Sequence, residues 1–160
     1  MGREIERKFL VAPRDWENIA DGIAIRQGYL PTADNRVVRA RIAGDAAFLT
    51  IKGPDGTEGR LEYEYTIPPS DAEEILVLLC EKPIIEKTRY RIEFRGLVWE
   101  VDVFHSDNEG LVVAEVELQS ADQQVPLPPW VTAEVTGNPK YSNASLVKNP
   151  YARWRGESEG

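Results

Sequence analysis

The chain has 160 residues and a mass of 18.0 kDa, enough for one domain with a real core and short of two comfortable ones. Its 27 Asp and Glu against 19 Lys and Arg leave a formal charge of −8, which argues against nonspecific binding to nucleic acid or to an acidic membrane, so any anion site has to be locally basic. With 42% hydrophobic and 29% charged residues, it lacks the compositional signature of disorder.

The opening Met1-Gly2-Arg3-Glu4 carries charge where a secretory signal needs an apolar core, so a cytoplasmic protein is expected. Glu4 to Val11 alternates as a first strand. Pro13 to Ala20 suits a short helix with its proline in the first turn, and Ile25 to Leu30 reads as a second strand. Val37–Ile42, Ala47–Lys52 and Arg60–Ile67 follow, divided by Gly44-Asp45 and by the Gly53-Pro-Asp-Gly56 run, which are hairpin signals and imply antiparallel pairing. Pro68-Pro69 ends that group, and Ser70-Asp-Ala-Glu73 predicts a capping box at the head of a helix carrying the apolar run from Ile75. Ile85–Phe94, Leu97–Phe104 and Leu111–Leu118 complete eight predicted strands. A second capping box is predicted at Ser120–Gln123, then a proline-rich stretch over 126–129 and a short helix over Asn143–Lys148. We expect one domain over 1–155 and a frayed tail over 156–160.

The lone Cys80 makes no intramolecular disulfide, and with a single histidine, His105, the chain has no ordinary His/Cys zinc site. A metal here must be held by oxygen. The longest apolar run is far below the roughly 20 residues that span a bilayer, so neither a membrane nor nucleic acid is expected as a partner.

Side chains two apart in a strand share a face. One face holds Glu4, Glu6, Lys8, Gln27, Tyr29, Arg39, Arg41, Phe48, Thr50, Lys52, Arg60, Glu62, Glu64, Lys87, Arg89, Arg91, Glu93, Glu100, Asp102, Glu115 and Glu117, whereas the other is almost wholly apolar. The bland alternative is an open sheet with one wet side. Against it, the charges segregate into acid pairs and basic rows, which neighbouring charges on a solvated face have no reason to do. Eight antiparallel strands suffice to close a barrel with the charged face inside, provided the charges neutralise one another or bind ions. The helices and the aromatics Trp16, Trp130, Tyr151 and Trp154 would then cover the outside. The expected class is therefore mainly β: an eight-stranded antiparallel closed barrel with a charged lumen and a few flanking helices.

Glu4-Ile-Glu-Arg-Lys8 resembles the E-x-E-x-K opening of the CYTH superfamily, the triphosphate tunnel metalloenzymes, and the resemblance continues to Val135-Thr-Gly-Asn-Pro-Lys-Tyr-Ser-Asn143. Along it come Arg39-x-Arg41, Lys52, Arg60-x-Glu62-x-Glu64, Lys87-x-Arg89, Glu100-x-Asp102 and Glu115-x-Glu117 in order. The resemblance implies Glu4, Glu6, Glu115 and Glu117 as ligands of Mg²⁺ or Mn²⁺. It implies Lys8, Arg39, Arg41, Lys52, Arg60, Lys87 and Arg89 as phosphate-binding residues, and Glu62, Glu64, Asp102 and Lys87 as a catalytic group that supports the site and orients water. Oxygen-only ligation suits such hard cations, and phosphoryl transfer asks mainly for positioning and charge neutralisation. The short chain is most similar to bacterial members that hydrolyse inorganic triphosphate to pyrophosphate and phosphate. Adenylate cyclase and thiamine or nucleoside triphosphatase chemistry remain alternatives within the family, and a noncatalytic polyphosphate or nucleotide binder is an alternative outside it. A carbohydrate hydrolase would explain the acids but leave the basic rows idle. The roles of Lys140, Ser142 and Asn143, and the oligomeric state, are left open by the sequence.

Overall fold

Alternation of charged and apolar side chains selects extended strands with two unlike faces, and the computed structural model shows where each face goes. It describes residues 2–12, 16, 20–56 and 59–156. The strands are β1 (Gly2–Val11), β2 (Ile23–Tyr29), β3 (Val37–Ala43), β4 (Ala46–Lys52), β5 (Arg60–Thr66), β6 (Ile85–Phe94), β7 (Leu97–Phe104), β8 (Val112–Leu118) and β9 (Val131–Glu134). Hydrogen-bonded neighbours run β5-β4-β3-β2-β6-β7-β8-β1, and β1 pairs back to β5, so eight antiparallel strands close a barrel. The closing seam is short: Gly2, Arg3 and Glu4 face Glu62, Leu61 and Arg60. The rest of that β1 edge is taken by β9, through Phe9 opposite Glu134 and Val11 opposite Val131.

Cross-strand register decides whether the charged rows share a wall. Glu6 faces Glu117, Lys8 faces Glu115, Arg39 faces Thr50, Lys52 faces Glu62, Arg89 faces Asp102 and Glu100 faces Glu115. The inward row is thus continuous around the barrel, as the alternation predicts. Outside, Phe9, Ile92, Trp99, Val101, Ala114 and Val116 pack beneath Trp16 and Trp130 in one core. Helix α1 (Pro69–Leu78) covers another part of the outer wall through Ala72 and Leu76. It comes close because β2 has Gly28 there: a Cβ at that position would lie 2.9 Å from Cys80 Sγ and 3.0 Å from Leu76 Cδ2. Among the described residues no helix is long and apolar enough to cross a membrane.

Three local expectations need correction. Neither predicted capping box forms at a helix start. Helix α1 begins one residue earlier than Ser70, with Pro68 at the cap and Pro69 in its first turn, and Glu73 is held by Arg26 at 2.8 Å instead of reaching back. Gln123 does reach back, to the Gln119 backbone N–H at 2.7 Å, but the segment is a turn, since prolines at 126, 128 and 129 follow at once. Strand β9 was not expected. The helix predicted over Pro13–Ala20 lies, apart from Trp16 and Ala20, outside the described residues, as does most of the tail predicted over 156–160.

The inward rows change character at one end of the barrel. Leu10, Tyr29, Val37, Ile85, Phe104 and Val113 continue the charged rows of their strands and pack with Tyr141, Leu146, Val147 and Trp154. The last four belong to the C-terminal segment, which runs through a 3₁₀ turn (Pro139–Tyr141), α2 (Asn143–Lys148, capped by Ser142) and α3 (Tyr151–Trp154). The segment is an apolar stopper for that mouth.

Strand β9 is held by a surface latch in which Arg7 donates to both oxygens of Glu134, at 2.8 and 2.9 Å. Arg7 lowers the Glu134 carboxyl from 4.5 to about 2. A carboxylate lowered on folding contributes stability above its unfolded value, and this contribution is lost as pH falls from 4.5 toward 2. The Glu134 side chain is 39% exposed, so solvent screening limits the contribution to about 1 kcal/mol or less. Glu134→Gln is therefore expected to lower Tm by a few degrees at pH 6, with the gap from wild type closing as pH approaches 2. Parallel melts across that range check it.

Candidate active site

The lumen is lined by opposed charges delivered by the inward rows. Lys52 from β4 reaches Glu4 at 2.9 Å and Glu62 at 3.4 Å. Burial works against the Lys52 charge, and the adjacent Glu4 more than restores it, leaving the ammonium above its ordinary range. Arg39, 7% exposed, donates to Thr50 Oγ1 at 3.1 Å, and Thr50 donates on to Glu64 at 2.9 Å. The Arg39 Nε is buried without a hydrogen-bond partner. Such an orphan costs free energy unless something arrives to accept from it.

On the opposite wall Asp102 is 2% exposed and fully engaged: Arg89 grips both oxygens at 2.7 and 2.9 Å, and Lys87 Nζ stands 2.7 Å away. Burial alone would raise the Asp102 carboxyl, but Lys87 and Arg89 hold it well below the usual carboxylate range. Lys87 is pushed down to about 7, by burial first and by the Arg89 and Arg41 charges beside it. Arg41 is also lowered by burial and by its neighbours Arg39 and Arg89. Four cations are thus packed around a lumen in which Asp102 is the principal compensating charge on that wall, an electrostatic arrangement that favours an incoming polyanion.

The acids on the third side have the reverse problem. Glu6 and Glu115 are close enough to share a hydrogen bond, and Glu6 is pushed up to about 10 by burial and then by the Glu115 and Glu4 carboxylates. Glu117 is raised by burial and by Glu4, Glu62 and Glu100. Facing carboxylates need either a proton or a cation between them. This donor set is all oxygen and fits a hard divalent ion. Among the described residues no three acidic, His or Cys side chains form a ready cage, so an ion such as Mg²⁺ would need substrate oxygens and water to complete its shell.

Of the residues the sequence singles out, Glu4, Glu6, Lys8, Arg39, Arg41, Lys52, Glu62, Glu64, Lys87, Arg89, Asp102, Glu115 and Glu117 all lie on this inward wall. Arg60 does not join the group: its guanidinium is bound to the carbonyls of Gly53 and Asn35 at the rim. Arg91, on the same face, pairs with Glu100 at 3.0 Å. His105 is exposed, with Thr88 Oγ1 2.8 Å from its ring nitrogen. The sequence assigns no role to four contributors. Thr50 links Arg39 to Glu64, Gln27 accepts from Arg41 at 2.8 Å, the Tyr141 carbonyl accepts from Lys8 at 3.3 Å, and Asn143 accepts from Lys87 at 2.9 Å. The uncharged pair stands among the charged rows; the signal available was their inward parity.

A closed antiparallel barrel whose lumen pairs basic rows with acid pairs defines a class of tunnel proteins built for polyanions and cations together. The chain belongs to the CYTH domain family, which matches residues 2–151. It is 48% identical over 155 residues to an inorganic triphosphatase of Acetivibrio thermocellus, covering 97% of this chain and 99% of that protein. An inorganic triphosphatase of Nitrosomonas europaea is 39% identical over 152 residues, covering 90% and 96%. The crystal structure of the inorganic triphosphatase NE1496 superimposes with a TM-score of 0.65 at 38% identity, over 92% of this chain and 95% of that one. Membership of this family implies, in general terms, dependence on a divalent metal.

Proposed function

We propose that this protein hydrolyses inorganic triphosphate to pyrophosphate and phosphate within its lumen, using Mg²⁺ or Mn²⁺. The observation that carries the reading is the buried, partnerless Nε of Arg39 among Lys52, Arg41, Lys87 and Arg89. A guanidinium N–H left unpaired in a closed basic wall calls for an oxygen of a multiply charged anion. Lys8, Arg39, Arg41, Lys52, Lys87 and Arg89 hold phosphate oxygens in this reading, and Asp102, both of whose oxygens are occupied, fixes Lys87 and Arg89. Glu4, Glu6, Glu115 and Glu117 would hold the metal. The metal would supply neutralisation of phosphate charge and a water more easily deprotonated than bulk water. Glu62 and Glu64 remain to orient the attacking water, whose oxygen bonds to a terminal phosphorus as the bridging P–O bond breaks and pyrophosphate leaves. The apolar stopper closes one mouth, which limits water entry from that side.

Release of phosphate and pyrophosphate from inorganic triphosphate, ATP and thiamine triphosphate, each with Mg²⁺, Mn²⁺ or EDTA, tests this. Expected is hydrolysis strongest on inorganic triphosphate and abolished by EDTA. Cyclic AMP formation from ATP would move the protein to cyclase chemistry, and binding without turnover of any substrate would overturn the enzymatic reading.

A further inference from the structure

Resting on the triphosphate reading of the lumen, we infer that Asn143, from the C-terminal stopper, is a positioning residue that fixes the Lys87 ammonium and, through Gln27, the Arg41 guanidinium. Asn143 is the first residue of α2, whose cap Ser142 receives the Ser145 backbone N–H at 3.2 Å. Its side-chain oxygen accepts from Lys87 Nζ at 2.9 Å and from Gln27 Nε2 at 3.3 Å. The direction of the amide is dictated chemically, because an ammonium can only donate. Gln27 is fully buried; its nitrogen also donates to the Tyr29 hydroxyl at 2.6 Å, while its oxygen accepts from Arg41 Nε at 2.8 Å. A continuous chain of hydrogen bonds thus links Lys87, Asn143, Gln27 and Arg41, four side chains on three strands and the stopper.

An ammonium has three donors. Asp102 and Asn143 take two of those on Lys87, which sets the direction of the third for a substrate oxygen. Without Asn143 the ammonium keeps one anchor and can rotate about it, so a phosphate would have to order it at each binding event. Gln27 has its hydrogen-bonding capacity satisfied only while Asn143 is in place, so the loss passes on to Arg41. The C-terminal segment would then complete the site as well as close the barrel.

The direct test reads Lys87 itself. At pH 6 the groups facing Lys87, namely Asp102, Arg89 and Arg41, keep their charges, and Lys87 is protonated. In a ¹⁵N–¹H spectrum of the lysine ammonium groups, the wild-type protein, free of metal and substrate, is expected to show one slowly exchanging ammonium that Lys87→Met removes. Asn143→Asp, which retains an acceptor, is expected to keep that signal. Asn143→Leu, which retains the bulk and lacks the acceptor, is expected to lose it, and Asn143→Ala serves as a second probe should leucine disturb the packing. In the assay, Asn143→Leu and Asn143→Ala should each lower kcat/KM on inorganic triphosphate by about 10- to 100-fold with the melting temperature largely kept. A Leu variant with an unchanged ammonium signal, or one as active as wild type, overturns the inference. Wild-type protein that shows the signal and loses it in the Leu variant, yet fails to hydrolyse triphosphate, overturns the functional reading instead.

Discussion

Glu115→Gln is expected to lower turnover of inorganic triphosphate by at least about 10³-fold, the scale set by losing a charge that neutralises a phosphoryl transition state through its metal. Glutamine preserves the shape and one acceptor but removes the negative charge, and charge is what a hard divalent ion demands of its ligands. The same substitution has a second consequence, on stability. Burial alone would raise the Glu115 carboxyl, but Lys8, the hydrogen bond shared with Glu6 and Arg89 bring it down to about 2. A carboxylate lowered on folding stabilises above its unfolded value, so removing its charge leaves Lys8 and Arg89 less compensated. In EDTA at pH 7 the variant should therefore melt below the wild-type temperature, by a gap that closes as pH falls from 4.5 toward 2, while its metal binding by calorimetry is lost. Loss of metal binding in a variant that still melts cooperatively separates ligand loss from misfolding. Turnover within tenfold of wild type would remove Glu115 from the metal site.

Strand alternation made most of this architecture readable in advance. The charged inward residues from Glu4 to Glu117 follow a period of two, and that period survives folding because register locks a whole row at once: Lys8 opposite Glu115 and Arg89 opposite Asp102 bring their neighbours with them. What escaped has no period. Strand β9 has four residues and exists because the β1–β5 seam leaves part of an edge free. The capping signal at Ser70 lost to Pro68-Pro69, which already provide the bend and the fixed φ for a first turn. Asn143 and Tyr141 reach the site only through tertiary contact, from a segment of two short helices whose destination no local pattern states. A signal did exist on the strands that receive them, where six of the eight inward rows end in an apolar or aromatic residue: Leu10, Tyr29, Val37, Ile85, Phe104 or Val113. A lumen that turns apolar at one mouth has to be stoppered by something apolar.

The Asp102 carboxylate is the place where folding and function share one group, and Asp102→Asn should expose that. Lys87 and Arg89 are both held by it at 2.7 Å, and Lys87 is itself 2% exposed. Breaking a buried pair from one side leaves the partner charged and unpaired, at a cost of about 3–5 kcal/mol. For a chain of this size that is a fall in Tm of about 10 °C at pH 6. The pH dependence gives the test its sign. Lys87 titrates near 7 with Asp102 present, and Asp102 is the strongest influence raising it; without that carboxylate its value drops further. Above pH 8 Lys87 is neutral in both proteins, so its ammonium no longer separates them, and only Arg89 remains to be paired, with Glu100 still 3.3 Å away. The deficit relative to wild type should therefore shrink as pH rises from 6 to 8.5, whereas loss of packing alone would leave it unchanged. Added inorganic triphosphate at pH 6 should recover part of the deficit by supplying the missing negative charge. A deficit that is absent at pH 6, or equal at both pH values, would mean that Asp102 does not hold these two cations in solution.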